Sequence, residues 1–125
     1  MSRTLLVTDD AAIIREMIKD VAIQAGWTIA GEAADGQQAI DRYRQLRPDA
    51  VTLDMVMPRR DGLYALRGIM EFDPEARVLV VSALEQKPVL REAFKLGAYD
   101  FLVKPFDRKA LVQSLDQMLP AEPAA

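Results

Sequence analysis

The stretch Val78-Leu79-Val80-Val81-Ser82-Ala83 opens with four consecutive apolar residues. A strand with one wet face alternates apolar and polar side chains. An unbroken apolar strand is covered on both faces, as in a parallel sheet flanked by helices. Working outward, Leu63, Leu66 and Ile69/Met70 recur at helical spacing after Pro58 and Gly62, and Pro74 punctuates the approach to the strand. On the other side Pro88 suits the first turn of a helix that carries Val89, Ala93 and Leu96 on one face and closes at Gly97. The same alternation continues to both ends. Thr4–Thr8, Thr28–Ala33, Ala50–Leu53 and Phe101–Val103 read as strands. Between them lie helical faces formed by Ile14, Ile18, Val21 and Ala25, closed by Gly26, and by Ala39, Tyr43 and Leu46, stopped by Pro48. Asp35-Gly36 turns the chain into the second helix. Asp107 caps a last helix with Leu111, Leu115 and Met118.

Five strand–helix units imply an α/β fold, a doubly wound parallel sheet with helices on both faces. The 125 residues fit one domain, expected over residues 1–119, with a flexible Pro/Ala-rich end at 120–125. Half the residues are hydrophobic, and no apolar run approaches the ~20 residues of a membrane span. Two acids follow the first short apolar run, which is unlike a secretory signal, so a cytoplasmic protein is expected. There is no Cys and no His. Disulfides, thiolate and imidazole metal sites, and Ser-His-Asp catalysis are therefore excluded. Sixteen basic against nineteen acidic residues give a net charge of −3, which argues against direct nucleic-acid binding.

Open α/β sheets place their sites beyond the carboxyl ends of the strands. Asp9-Asp10 follow the first strand, Asp54 the third, Ser82-Ala83 the fourth and Lys104-Pro105 the fifth. The second strand ends in Ala33-Ala34, with nothing reactive. Taken singly, each has an ordinary reading: helix cap, turn residue, loop hydroxyl, solvated amine. Together they put three carboxylates, a hydroxyl and an amine on one edge. Close carboxylates repel unless a cation intervenes. Mg2+ prefers oxygen ligands, commonly one or two carboxylates with phosphate oxygens. A carboxylate can itself accept a phosphoryl group as a nucleophile, with metal, ammonium and hydroxyl neutralising the transferred oxygens. The edge reads as a phosphoryl acceptor.

These residues resemble a known family. Asp9-Asp10, Asp54-Met55-Val56-Met57-Pro58 with Asp61-Gly62, Ser82-Ala83 and Lys104-Pro105-Phe106 are similar to the motifs of the receiver domain of two-component response regulators, over residues 3 to about 119. Gly31-Glu32-Ala33 and the lack of an output domain resemble the stand-alone chemotaxis-type receiver. The resemblance implies a five-stranded flavodoxin-like sheet in the order 2-1-3-4-5 with five helices. It implies that Asp54 accepts the phosphoryl group from a histidine kinase. Mg2+ would be held by Asp10, Asp54 and the Val56 backbone carbonyl, with Asp9 acting largely through water. Ser82 would bond the new phosphoryl group, and Lys104 would pair with Asp54 and later with the phosphate. Lys104-Pro105 would be a cis peptide. Phe101 stands at the aromatic switch position, whose plain alternative is a core aromatic. The readout face is helix four, strand five and helix five, with Lys87, Leu90, Phe101 and Lys109 as candidates to bind a downstream protein. Apolar Val56 and Leu84 imply slow self-dephosphorylation. The lack of His means that the phosphoryl donor is another molecule.

Three rivals stand beside this reading. A phosphatase or phosphotransferase of the haloacid-dehalogenase type would carry a second Asp at position 56, where this chain has Val56. A flavin-binding domain would have a Ser/Thr/Gly-rich loop in place of the anionic Asp9-Asp10-Ala11-Ala12. A receiver taken from a larger regulator with DNA-binding or enzymatic output would share every motif above. Trp27, at the entry to the second strand, reads as a packing residue distant from the acidic edge.

Overall fold

The computed structural model describes residues 3–58, 60–83 and 87–118. Ten elements alternate: β1 (Thr4–Thr8), α1 (Ala12–Gln24), β2 (Thr28–Ala33), α2 (Gly36–Leu46), β3 (Ala50–Asp54), α3 (Gly62–Phe72), β4 (Val78–Ala83), α4 (Lys87–Leu96), β5 (Asp100–Lys104) and α5 (Arg108–Gln117). The five strands form one parallel sheet in the order β2-β1-β3-β4-β5. The doubly wound fold expected from the apolar runs is the fold observed. The expected end at 120–125 lies outside the described residues.

The period of two along each strand divides the core between the two faces. Leu6, Val51, Leu53, Val78 and Val80 point to one face and meet Ile40 and Tyr43 of α2, Leu66 and Ile69 of α3, and Leu90 and Ala93 of α4. Leu5, Val7, Leu79, Val81 and Leu102 point to the other and meet Ile18 and Ala22 of α1 and Leu111 and Leu115 of α5. The unbroken apolar run of β4 therefore serves two cores at once. Trp27 is buried in the α1/α5 core, as a packing residue should be.

Helix ends follow local chemistry. Asp35, Asp61 and Asp107 each accept a hydrogen bond from the backbone N–H three residues on, at the starts of α2, α3 and α5. Asp35 is thus a helix cap as well as a turn residue. Gly26 and Gly97, just past α1 and α4, take φ of +96° and +114°, a region that penalises any β-carbon. Gly62 is required for a different reason. A β-carbon there would press into the main chain of Asp54 and Met55, because the β3–α3 loop folds back onto the strand end.

Two expected faces are corrected. Leu46, taken with Ala39 and Tyr43 as core-facing, is 41% exposed and only reaches over Gly31. It sits in the last turn of α2 against β2, the border strand of the sheet, so no further strand covers it. Leu90, a candidate for the readout surface, is only 8% exposed and belongs to the core beneath α4. A helical apolar stripe is wide enough to hold both Val89 and Leu90. The edge strand β5 carries a local bond: the Phe101 N–H donates to Asp100 Oδ1 at 2.8 Å.

Candidate functional site

Strand register assembles the site. Thr8 of β1 lies opposite Leu53 of β3, so the next residues, Asp9 and Asp54, emerge side by side. Asp54 lies opposite Val81 of β4, and Ser82 follows it. Ser82 and Ala83 face Val103 and Lys104 of β5. All the expected groups therefore meet at the carboxyl edge, at the switch in strand order.

Every polar atom of Asp9 is engaged. Its N–H donates to the Ala33 carbonyl at 3.1 Å. Its carbonyl accepts from Arg15 Nη1 at 2.8 Å, and its Oδ1 accepts from the Ala11 N–H at 2.9 Å. Its Oδ2 accepts from Lys104 Nζ at 2.9 Å. Asp10 is exposed, and no hydrogen bond or ion pair holds its side chain among the described residues. Asp54 is buried, and its Oδ1 accepts from the Val56 N–H at 3.2 Å. Ser82 is buried beside it at the end of β4.

Lys104 makes the expected ion pair with Asp54 and adds a second, with Asp9. Its closer partner is Asp9, whereas Asp54 Oδ1 lies 3.6 Å from Nζ. The deeply buried Asp9 carboxylate, with one oxygen already anchored, presents the other to the ammonium. Lys104–Pro105 is a cis peptide, as the resemblance implied.

The charges at this edge are unbalanced. Burial, reinforced by the nearby Asp9 charge, pushes the Asp54 carboxyl up to about 6; the Val56 N–H and Lys104 oppose the shift. Burial works against the Lys104 charge. The Asp9 hydrogen bond and the Asp54 and Asp9 charges outweigh it, and Lys104 is held above its ordinary value. One ammonium thus faces three carboxylates.

One oxygen from each of Asp9, Asp10 and Asp54 lies within 4.8 Å of the others. These are hard donors with surplus negative charge and one exposed member for entry, a set that suits Mg2+. No helix among the described residues is long and apolar enough to cross a membrane.

Phe101 is not a core aromatic. It is 39% exposed and meets the 44%-exposed Phe94 of α4 edge to face, with centroids 5.7 Å apart at 85°. Lys87 and Lys109 are exposed on the neighbouring helices. Leu84 lies outside the described residues, while Val56 is exposed beside Asp54. Sequence reasoning passed over two residues of this region, Phe94 and Arg15. Arg15 carried a signal, since a cation near the N-terminal end of a helix opposes the helix dipole.

Comparison with known proteins agrees with this geometry. The family model described as "Response regulator receiver domain" matches residues 5–116. The chemotaxis protein CheY of Thermotoga maritima is 43% identical over 118 residues, 94% of this chain and 98% of that protein. Protein CcdB of Bacillus subtilis is 45% identical, over 92% of this chain and 96% of that protein. Among solved structures, CheY in the CheX–CheY–BeF3–Mg complex of Borrelia burgdorferi is similar, with a TM-score of 0.87 and 35% identity, covering 91% of this chain and 87% of that one. With its five-stranded fold and its acidic carboxyl edge, the chain belongs to the response regulator receiver domain family.

Proposed function

We propose that the chain is a cytoplasmic, stand-alone chemotaxis-type regulator that takes a phosphoryl group from a histidine kinase onto Asp54. The observation that carries this reading is the setting of Asp54: buried, held through Oδ1 by the Val56 N–H, and beside both an acidic pair and Lys104. A relative named as a chemotaxis protein, 43% identical over 94% of this chain, supports the chemotaxis-type reading.

In the transfer, one Asp54 carboxylate oxygen attacks the donor phosphorus. The O–P bond forms as the donor's P–N bond breaks, and the electron pair leaves with the imidazole nitrogen of the kinase histidine. Asp10, Asp54 and the Val56 carbonyl would hold Mg2+, with Asp9 behind them. When bound, the ion neutralises charge on the transferred oxygens. Lys104 sits 3.6 Å from Asp54 Oδ1 and turns toward the added phosphate. Ser82, at the end of β4, donates its hydroxyl to another phosphoryl oxygen. Phosphorylation adds nearly two negative charges, which draw these groups inward. Phe101 then leaves Phe94 for the space beside β4, changing the α4–β5–α5 face presented to a downstream protein. The chain catalyses only its own phosphorylation and dephosphorylation.

The test is intact mass after incubation with acetyl phosphate and Mg2+, beside an Asp54→Asn variant and an EDTA control. One added phosphoryl group that needs both Asp54 and Mg2+ is expected. An adduct that persists in Asp54→Asn would overturn the assignment.

A further inference from the structure

The β1–α1 loop carries two of the three site carboxylates, yet the residue that begins its helix does little to fix it. Ala11, the N-cap of α1, makes no side-chain cap. Arg15 holds the loop instead. Its Nη1 donates to the Asp9 carbonyl at 2.8 Å while its Nε donates to Glu32 Oε1 at 3.0 Å. Glu32 belongs to β2, and its other oxygen is held by Lys19 Nζ at 3.0 Å. Lys19 in turn pairs with Glu16 Oε1 at 2.6 Å. Arg15 is largely buried, and its planar fork spans two acceptors at once, which an ammonium cannot do with the same geometry.

We propose that Arg15 is a positioning residue for the acidic edge: by clamping the Asp9 carbonyl to Glu32, it fixes the loop from which Asp9 and Asp10 reach toward Asp54. The inference rests on the Mg2+-site reading above and adds to it a residue that touches neither the ion nor the phosphoryl group. Partners behind the ligating groups commonly decide metal affinity, by roughly 10–100-fold.

Charge and clamp predict opposite signs. If Arg15 acted only as a nearby positive charge, removing it would tighten cation binding. If it acts as a clamp, removing it loosens the loop and weakens binding. Arg15→Lys separates the two further, because it keeps the charge and loses the two-point geometry. Lys19→Met is the control, since it breaks only the outer pairs with Glu32 and Glu16.

The experiment titrates the metal-free protein with Mn2+ alone, following the free ion by electron paramagnetic resonance, with thermal unfolding of each variant beside it. The wild type is expected to bind one ion that Asp54→Asn weakens; failure of that arm overturns the metal-site reading itself. Arg15→Met and Arg15→Lys are both expected to raise the Mn2+ dissociation constant roughly tenfold. Lys19→Met is expected to leave it unchanged. An unchanged or lowered constant in folded Arg15→Met, or wild-type binding in Arg15→Lys, overturns the clamp. If Arg15→Met fails to fold, Arg15→Lys decides the matter.

Discussion

Replacing Asp54 by Asn should stabilise the metal-free protein, although it removes the group the site is built around. The Asp54 carboxyl stands at about 6 against an ordinary 3.8, so folding holds its charged form at a disadvantage. At about 1.36 kcal/mol per pH unit the shift corresponds to about 3 kcal/mol. Solvent reaching this open edge reduces it to roughly 1–3 kcal/mol. The sign follows from proton linkage. Both states hold a neutral Asp54 below its unfolded value of 3.8, so the variant gains nothing there. The gain grows as pH rises from 3.8 and is complete above about 6. Asn keeps an oxygen for the Val56 N–H, and Lys104 keeps its 2.9 Å bond to Asp9, so no buried ammonium is orphaned. Urea unfolding in EDTA at pH 8 and again below pH 4 measures the difference. Added Mg2+ should raise the stability of the wild type more than that of the variant. An equal gain at both pH values, or destabilisation at pH 8, would refute the electrostatic account.

Further expectations follow from the same geometry. At limiting Mg2+, adduct formation from acetyl phosphate should fall roughly tenfold between pH 8 and pH 5, because Asp54 loses its nucleophilic charge below about 6. Saturating Mg2+ should move that fall to lower pH; a midpoint indifferent to Mg2+ would place the titration elsewhere. Phe94→Ala removes the edge contact that holds Phe101 outward, worth about 0.5–1.5 kcal/mol. Fluorine-labelled phenylalanine NMR should then show Phe101 shifted toward its inward rotamer without phosphorylation, and an unchanged spectrum would argue against the latch. Gly62→Ala should destabilise by about 1–3 kcal/mol in urea, since the main chain of Asp54 and Met55, which cannot swing aside as the Met55 methyl can, occupies the space for the added methyl group. A Val56→Asn, Leu84→Glu variant should lose phosphate faster than the wild type, and equal decay would contradict the link between those apolar residues and slow turnover.

The parts of the molecule that show in the sequence are those set by period and punctuation. Val78–Val81 announces a doubly covered strand because both of its faces are apolar, and four motifs at strand ends reveal an edge. Side-chain reach is not written in this way. Lys104 is placed at the end of β5 by its motif, yet its choice of Asp9 over Asp54 depends on how far it reaches across the tops of β4 and β3. Leu90 reads as a surface residue if a helix face is one residue wide, and is buried because the stripe is wider. Arg15 joins a loop carbonyl to a strand seventeen residues on, a relation no local pattern encodes.

The Asp100–Phe101 bond bears on how this molecule keeps its own company. β5 is a border of the sheet, and borders invite a second chain to add itself as another strand. Here the outward amide of Phe101 is already occupied by its neighbour's carboxylate, so the border offers no unbroken template. Strand addition at this position would have to break that bond first. The same tether holds the main chain of Phe101, so that only its side chain is left to the contact with Phe94.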